Sequence, residues 1–224
     1  MIVLAESALE LVPNSIIDHP SVAKYAKRRG KRADEVLLDR SYHHYAMKRL
    51  PEAEKRGRPD IMHFTLLSVL GTPLNKRGLM ECYVHTREDK VIVVDPKTRL
   101  PRNYDRFLGL IEQLLRFGAV PLDAQPLMKV KELTLPQLIE DLKPSKVIGL
   151  STLGSPKPLR DVCEGASKLP KVMFLIGGFP KGHFSDETLR VTDSLYRIHR
   201  ESLESWVVAS RIVYQWELSQ GILY

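Results

Sequence analysis

Two stretches of glycine and turn-forming residues each follow a run of apolar residues. They are "STLGSP" at 151–156 and "GGFPKG" at 177–182. Glycine has no Cβ and tolerates positive φ, so such loops let backbone atoms approach a ligand closely. In open parallel sheets, ligands bind beyond the carboxyl ends of the strands, where successive loops converge. The pattern favours two ligand loops over ordinary turns in which Gly177 and Gly178 only redirect the chain.

The sequence lacks the known motifs for nucleotide phosphates, hydrolysis and metal binding. There is no GxGxxG, and "GLSTLGSP" lacks the lysine of a GxxxxGK[ST] loop. GxSxG, HExxH and acidic metal clusters are also missing. The adjacent His43 and His44 would point to different sides of a helix or strand, which favours packing or RNA-facing roles over metal ligation. We therefore expect no metal site, and a pocket that binds through backbone and shape.

Basic residues are concentrated in two regions. The chain carries a formal charge of +7, and residues 21–60 hold twelve Lys or Arg against six acidic residues. The densest run is "KYAKRRGKR" at 24–32, and Arg99, Arg102 and Arg106 recur at spacings of three and four. Both regions are typical either of a solvated face or of a surface that binds a polyanion.

The triplet Arg58, Pro59 and Asp60 has the spacing of a supported arginine. Proline disfavours helix at the residue before it, and in an extended chain side chains two apart share a face. Asp60 could then hold the Arg58 guanidinium toward a phosphate or a base edge. This interpretation makes Asp60 a support for Arg58 rather than a catalyst.

Apolar periodicity predicts an alternation of strands and helices. Strands are expected at "MIVLAES", "DIMHFTLLSVLG", "KVIGLSTLG" and "KVMFLIGGFP", and a hairpin at "LMECYVHT" and "KVIVVD". Helices are expected at "YDRFLGLIEQLLRFG", which ends at Gly118, at "LTLPQLIEDLKP", and at "PLRDVCEGASKL", which opens at Pro158. Strand, helix and strand with continuous Val, Ile and Leu content predict a parallel sheet in an α/β fold.

The last predicted helix, "SLESWVVASRIVYQWELSQGI", has more apolar residues than a surface helix needs. One stripe suffices for a helix that packs on a single core. The surplus indicates burial against a second subunit as well as its own sheet, although burial within one chain is the alternative. Its apolar residues are Leu203, Trp206, Val207, Val208, Ile212, Val213 and Trp216.

Length and composition indicate an ordinary globular protein. A chain of 224 residues that is 43% hydrophobic can bury one core, as one domain or as one domain with an insertion. No 18-residue apolar window exists, and "MIVLA" is followed by Glu6 and Glu10, so neither a membrane span nor a signal peptide is expected. We expect a cytoplasmic protein without a membrane partner. Cys82 and Cys163 are expected to be two buried, reduced thiols.

Four motifs in order, "GRPDIMHFTLL", "VDPKTRLPRNYDRF", "LIGGFPKGHF" and "LESW", resemble the small-subunit ribosomal RNA pseudouridine N(1)-methyltransferase family of the SPOUT class. The resemblance runs from "AESALELVP" to the last helix. It implies a SPOUT-type parallel sheet with a C-terminal trefoil knot, an exception to the rule that chains do not knot. It also implies a single domain over residues 1–224, with a basic, β-rich insertion at about residues 24–100.

The resemblance further implies methylation of ring nitrogen N(1) of a pseudouridine in small-subunit rRNA, with a role in ribosome biogenesis. S-adenosylmethionine would sit in the knot, held by three segments: Leu150–Thr152, Gly177–Gly182 and Leu195–Arg200. The implied cofactor-binding residues are Leu150, Thr152, Gly177, Gly178, Gly182, Leu195, Tyr196, Arg197, Ile198, His199 and Arg200.

The resemblance places the substrate RNA on the basic residues singled out above. The implied RNA-binding residues are Arg58, Asp60, Arg99, Arg102 and Arg106. The implied partners are small-subunit rRNA, a second copy in a homodimer, and ribosome assembly factors or ribosomal proteins. The reacting nitrogen must also lose a proton. Asp60 is the candidate catalytic residue, although an ion pair with Arg58 would make it a weaker base.

Two alternative functions remain open on the sequence. The first is a non-catalytic ribosome assembly factor that binds rRNA through its arginines. The glycine loops argue against it, because an RNA-binding scaffold needs no tight cofactor crevice. The second is a SPOUT methyltransferase that acts on another RNA, such as transfer RNA, and the arginine motifs argue against that.

Overall fold

One mixed eight-stranded sheet runs through the chain in the computed structural model, which describes residues 1–222. The strands are β1 (Ile2–Ser7), β2 (Cys82–Thr86), β3 (Lys90–Val94), β4 (Ala119–Val120), β5 (Met128–Glu132), β6 (Lys146–Pro156), β7 (Val172–Gly177) and β8 (Ser194–Arg197). The helices are α1 (Pro20–Arg29), α2 (Arg40–Met47), α3 (Pro59–Leu70), α4 (Pro73–Lys76), α5 (Tyr104–Phe117), α6 (Leu135–Leu142), α7 (Leu159–Ala166), α8 (Asp186–Arg190) and α9 (Ser205–Ser219). Short 3₁₀ helices span Asn14–Ile16, Ala33–Glu35 and Ala53–Lys55.

The sheet order is β4-β5-β3-β2-β1-β7-β6-β8. Five strands are mutually parallel, namely β2, β1, β7, β6 and β8. The other three, β3, β5 and β4, pair antiparallel with their neighbours. The prediction of an α/β fold is confirmed, and that of a parallel sheet holds for five of the eight strands. The predicted hairpin is β2 and β3. The apolar pattern does not predict β4, β5 and β8, because these strands are short or carry alternating charged residues rather than an apolar run.

The prediction of a strand at "DIMHFTLLSVLG" is wrong, because this segment is α3. Pro59 occupies its first turn, where a missing N–H costs nothing. The helix is buried on several sides, with Ile61, Met62, Leu66 and Val69 all almost inaccessible to solvent. Apolar residues therefore surround it, and the 3.6-residue periodicity that marks a one-sided helix is lost.

The segment at about residues 24–100 was expected to be β-rich, but it has more helical residues than strand residues. It contains α2, α3, α4 and most of α1, while its two strands, β2 and β3, continue the main sheet beside β1. The helices α1 and α2 bury a small apolar cluster of their own that includes Val22, Tyr25, Ala46 and Met47.

Part of the basic run at 24–32 is used to hold the fold together. Arg29 and Lys31 both reach one carboxylate oxygen of the buried Glu112, at 3.1 and 2.5 Å. The other oxygen of Glu112 accepts a hydrogen bond from the backbone of Leu37. Because α5 carries Glu112, these contacts fix α1 against α5 and order this arm of the protein.

The structure also bears on the cysteines, on membrane-spanning helices and on metal-binding groups. Cys82 and Cys163 are free and buried, as expected. Among residues 1–222, no helix combines the length and apolar composition that a membrane crossing requires. Within the same residues, no group of three or more His, Cys, Asp or Glu side chains is arranged to hold a metal ion.

Candidate functional site

A pocket lies at the carboxyl ends of β6 and β7, beside the first turns of α9. Three chain segments and the start of α9 meet there, because the carboxyl ends of parallel strands share one edge of the sheet. The lining residues are Leu150, Ser151, Thr152, Ile176, Gly177, Phe179, Pro180, Lys181, Gly182, His183, Phe184, Arg197, Ile198, His199, Glu201, Ser202, Leu203, Ser205 and Val208.

The structure brings seven of the eleven predicted cofactor residues into this lining. They are Leu150, Thr152, Gly177, Gly182, Arg197, Ile198 and His199. Each of the three segments chosen from the sequence contributes at least two of them. The stretch at 151–156, expected as a loop, is the last part of the bent strand β6. The other four predicted residues, Gly178, Leu195, Tyr196 and Arg200, do not line the pocket.

Gly178 faces β1 rather than the pocket. Its N–H donates to the carbonyl of Ala5 at 2.7 Å, and its own carbonyl accepts from the N–H of Ala8 at 2.9 Å. A Cβ at this position would lie 2.2 Å from Oγ and 2.7 Å from Cα of Ser7. The residue must therefore be glycine for the strand ends of β7 and β1 to approach each other.

Leu195 and Tyr196 belong to β8, which pairs with β6 on both sides of a bend. Leu150 and Ser155 of β6 both pair with Tyr196, so β6 curves around it. At the bend, a Cβ on Gly154 would lie 2.5 Å from the backbone carbon of Tyr196. The two strands can cross this closely only because position 154 has no side chain.

The helix α9 supplies a part of the pocket that the sequence does not predict. Ser205 and Val208 lie in the first turns of this helix, and the Ser205 hydroxyl donates to the carbonyl of Gly177 at 2.6 Å. The motif "LESW" includes Ser205, but its pattern gives no reason to place a hydroxyl against β7. Phe184 lies beyond the predicted segment at 177–182, and its ring packs edge to face at 5.8 Å against that of Phe179, which lies within the segment.

The glycine-containing loop at 177–185 is held from outside the pocket. The Lys55 ammonium donates to the carbonyl of His183 at 3.2 Å and lies over the ring of Phe179. At the far end, one carboxylate oxygen of Glu6 accepts from both the N–H and the hydroxyl of Ser185, each at 2.8 Å. These contacts fix the loop to β1 and to the segment that precedes α3.

Arg58 and Asp60 form the predicted pair, although not on an extended chain. Arg58 immediately precedes α3 and Asp60 lies in its first turn. The guanidinium donates two parallel hydrogen bonds to the carboxylate, Nε to Oδ1 at 2.8 Å and Nη2 to Oδ2 at 2.7 Å. This bond is the main cause that raises the pKa of Arg58, and the nearby charge of Glu204 adds to it.

The other three predicted RNA-binding arginines lie together around the start of α5. Arg99, Arg102 and Arg106 are exposed, and none has a carboxylate partner among residues 1–222. Asn103 begins the helix as predicted, because its side chain accepts from the N–H of Arg106 at 3.0 Å. We call these three residues the arginine surface.

Tyr104 and His63 place the arginine surface next to the Arg58–Asp60 pair. Nε2 of His63 forms a 2.7 Å hydrogen bond with the carbonyl oxygen of Pro101. This bond fixes the loop that carries Arg99 and Arg102 against α3. Burial is the main cause that raises the pKa of Tyr104, and the charge of Asp60 contributes. The backbone N–H of Arg58 donates to the carbonyl of Ala8 at 3.0 Å, and the N–H of Ala8 donates to the carbonyl of Gly178 at 2.9 Å, so Arg58 also lies close to the loop that lines the pocket.

Comparisons with known proteins agree on one family. The sequence model of the EMG1/NEP1 methyltransferase family matches residues 2–217. A protein of Thermococcus kodakarensis named ribosomal RNA small subunit methyltransferase Nep1 is 44% identical over 221 residues, which are 99% of each chain. The protein of the same name from Pyrobaculum aerophilum is 43% identical over 224 residues, which are 100% of each chain.

A solved structure gives the same result. The crystal structure of Archaeoglobus fulgidus Nep1 bound to S-adenosylhomocysteine superposes with a TM-score of 0.87 at 38% identity and covers 98% of each chain. The resemblance drawn from the four sequence motifs is thereby confirmed, and with it the enzyme class. This chain belongs to the EMG1/NEP1 methyltransferase family.

Proposed function

We propose that this enzyme uses S-adenosylmethionine to methylate nitrogen N(1) of a pseudouridine in small-subunit rRNA, in the cytoplasm and as a step of ribosome biogenesis. The observation that carries the proposal is the Arg58–Asp60 pair, which lies close to the pocket loop through Ala8 and to the arginine surface through His63 of the same helix. An enzyme that modifies an RNA base needs a cofactor pocket beside cationic groups that hold the phosphates. The names of the relatives support rRNA as the substrate.

The residues of the pocket fit S-adenosylmethionine. Leu150, Ile176, Ile198, Leu203 and Val208 give an apolar wall that suits an adenine ring. Backbone groups of the 177–182 loop, with Gly182 at a φ of 93°, leave room for close polar contacts. When bound, the cofactor supplies a methyl group on a positively charged sulfur. The S-adenosylhomocysteine of the structural relative is the same molecule without that methyl group, which supports the assignment.

Orientation and charge are the contributions that this chain's residues make to the reaction. The arginine surface would bind the phosphates that flank the target, and Arg58 would contact the target nucleotide at the pocket mouth. Bases in an RNA loop are not locked in a duplex and can turn outward into such a pocket. Holding the nucleophilic nitrogen at reacting distance lowers the barrier by restricting its motion.

The structure supports a positioning role for Asp60 more strongly than a role as a base. Both of its carboxylate oxygens already accept hydrogen bonds from Arg58. A general base must instead direct a free lone pair at the proton it removes. The proton lost from the reacting nitrogen would therefore leave to solvent, or to another group, while Asp60 holds Arg58 in place.

We propose that residues 146–219 form the trefoil knot expected of a SPOUT domain. In support of this, β7 lies between β1 and β6, and β8 lies on the far side of β6. The chain then returns to the end of β7, where Ser205 meets Gly177. The close crossing at Gly154 is the kind of contact that threading demands. Residues 24–100 would be an insertion into this single domain.

We also propose that the protein is a homodimer, with α9 in the interface. Trp206, Ser210 and Tyr214 recur every four residues on one side of the helix, and Tyr214 is 56% exposed. The exposed ring of Phe64 extends this face and meets Trp206 edge to face at 5.2 Å. Apolar surface of this kind is typical of subunit contacts. Ribosome assembly factors or ribosomal proteins would be further partners.

The proposed activity is tested with two RNA hairpins that differ only in carrying uridine or pseudouridine in the loop. We expect methyl transfer from labelled S-adenosylmethionine to the pseudouridine hairpin alone. Arg102→Ala should abolish most of it, whereas Arg160→Ala, an exposed arginine on α7, should not. Tight RNA binding without methyl transfer to either hairpin, and without cofactor binding, would instead identify an assembly factor.

A further inference from the structure

The outer face of the α1–α2 pair carries aromatic rings and unpaired cations side by side. Tyr45 on α2 is 68% exposed, the largest value among the exposed large apolar and aromatic side chains of residues 1–222. The Lys48 ammonium lies 5.4 Å from its ring centroid. Arg28 on α1 lies over two further rings, 5.2 Å from Tyr25 and 5.1 Å from Tyr42.

The geometry of the two helices makes this one surface. Tyr42 and Tyr45 are three residues apart on α2, and Lys48 and Arg49 follow directly after the helix, three and four residues beyond Tyr45. On α1, Lys24 lies one turn before Arg28, which reaches across to Tyr42. We define the hairpin surface as Lys24, Arg28, Tyr42, Tyr45, Lys48 and Arg49.

The cations of the hairpin surface are not neutralised by ion pairs within residues 1–222. In the same basic run, Arg29 and Lys31 are neutralised by Glu112, and Arg32 by Asp34. Lys24, Arg28, Lys48 and Arg49, in contrast, have no carboxylate within 4 Å among residues 1–222. Unpaired cations next to an open aromatic face attract a polyanion that also presents flat rings.

The helices that carry the hairpin surface pack beside the helix that carries Arg106. Tyr104, at the start of α5, donates from its hydroxyl to Asp39 at 2.7 Å, and Asp39 is the residue that begins α2. Asp105 lies 3.8 Å from Arg29 on α1, and Arg106 of the arginine surface is the next residue. An RNA held by Arg106 would therefore lie beside the α1–α2 pair.

We propose that the hairpin surface binds single-stranded RNA that flanks the target loop. The bases would stack on Tyr45, and the cations would contact the phosphates between them. Aromatic platforms in a cationic groove are how proteins hold single strands without reading their sequence. This inference rests on the proposed RNA substrate and extends it, because it assigns a second contact region outside the methylation site.

The test compares the affinity of the full chain for three RNAs. The first is the minimal pseudouridine hairpin. The second adds a single-stranded extension of about ten nucleotides, a length within the usual site size of proteins that bind single strands. The third has the same extension annealed to a complement. We expect the single-stranded extension to raise affinity, and the annealed extension to raise it less, because paired bases cannot stack on a side chain.

Three variants identify the surface. Tyr45→Ala should weaken binding of the extended RNA by roughly 5- to 100-fold, which is the range for losing one stacked base, and Tyr45→Phe should retain the wild-type affinity.

A triple variant tests the cations: Lys24→Gln/Lys48→Gln/Arg49→Gln. It should reduce the slope of the logarithm of the binding constant against the logarithm of the salt concentration by about 2, since each lost phosphate contact to a single strand removes about 0.7. The matched control is Lys129→Gln/Lys131→Gln/Lys168→Gln, which removes three exposed cations elsewhere and should leave the slope unchanged. Thermal melts confirm that all variants fold.

The proposal is overturned if the single-stranded extension does not raise the affinity of the wild-type protein. It is also overturned if the slope falls as much in the control variant as in the triple variant of the hairpin surface. Competition by an acidic polypeptide as effective as that by a single-stranded RNA would assign the surface to a protein partner instead. Failure of the methylation proposal is distinguishable, because the hairpin surface would then still bind the extension while no methyl group is transferred.

Discussion

The hydroxyl of Ser205 donates a hydrogen bond to the backbone carbonyl of Gly177 over 2.6 Å. Gly177 ends β7 and Ser205 begins α9, so one bond ties the last helix to the loop that lines the pocket. Ser205 is buried and the bond is partly buried, so removing the hydroxyl would take away the side-chain partner of the Gly177 carbonyl. The shape of the pocket therefore depends on this contact.

Ser205→Ala is expected to weaken cofactor binding by roughly 5- to 30-fold. A buried carbonyl that loses its partner costs about 1–2 kcal/mol, and the loop can relieve that cost by shifting. Titration calorimetry with S-adenosylhomocysteine measures the change. Ser219→Ala is the matched control, because Ser219 also donates to a backbone carbonyl on α9, that of Trp216 at 2.8 Å, but away from the pocket. Equal losses in both variants would contradict the prediction.

Gly178→Ala is expected to destabilise the fold. The added Cβ would lie 2.7 Å from the Cα of Ser7, so the ends of β7 and β1 would have to separate. Overpacking of this kind costs about 1–3 kcal/mol, which lowers the midpoint of thermal unfolding by roughly 3–10 °C in a chain of this size.

Gly165→Ala serves as the opposite control for Gly178→Ala. Gly165 lies inside α7, and a Cβ there meets nothing within 4 Å. Alanine in a helix interior stabilises by about 0.5–1 kcal/mol relative to glycine. The two substitutions should thus shift the unfolding midpoint in opposite directions, and a loss of stability in both would show that the Ser7 contact is not the cause.

Stability should fall as the pH drops from about 6.5 to about 4, and His43 should account for part of that fall. Burial is the main cause that lowers the pKa of His43 to about 4, against an opposing contribution from Asp39. Because the unfolded chain binds this proton at a higher pH than the folded chain does, acid favours unfolding. The shift corresponds to roughly 3 kcal/mol, fully present above pH 6.5.

Urea unfolding at a series of pH values tests the role of His43. His43→Gln keeps an acceptor for the N–H of Asp39, which now bonds to Nδ1 at 3.0 Å. This variant should lose stability less steeply between pH 6.5 and 4 than the wild type. His44→Gln, which changes the exposed neighbour on α2, should retain the wild-type slope. An unchanged slope in His43→Gln would refute the assignment.

The sequence predicts the pocket better than it predicts the residues around it. The loop at 177–182 follows a continuous apolar run, and the rule that ligands bind at the carboxyl ends of parallel strands was enough to find it. Ser205 lies 28 positions later, and only the return of α9 to β7 brings it there. Local patterns carry no signal for such a contact.

The differences between sequence and structure also come from tertiary packing. The pattern of α3 predicts a strand because burial surrounds the helix with apolar residues, which removes the periodicity that identifies a helix. At Gly178 the sequence shows that a side chain is absent, but not which neighbour excludes it. In the fold, that neighbour is Ser7 of β1.

Asp60→Asn separates a positioning role from a role as a base. Asparagine keeps one acceptor oxygen for Arg58 but loses the charge, so we expect KM for the RNA to rise by roughly tenfold or less, since the pair is partly exposed. The turnover number kcat should change by no more than about threefold, because a positioning residue makes no bond to the reacting proton.

A control variant and the kinetic result expected for a general base complete the test of Asp60→Asn. Asp161→Asn breaks the ion pair between neighbouring residues on α7 and should leave both constants unchanged. Loss of a general base would instead reduce kcat by about 10²- to 10⁴-fold with little effect on KM, and would remove the acidic limb of the pH profile. That result would assign the proton transfer to Asp60, and Arg58 would then be the group that orients the base.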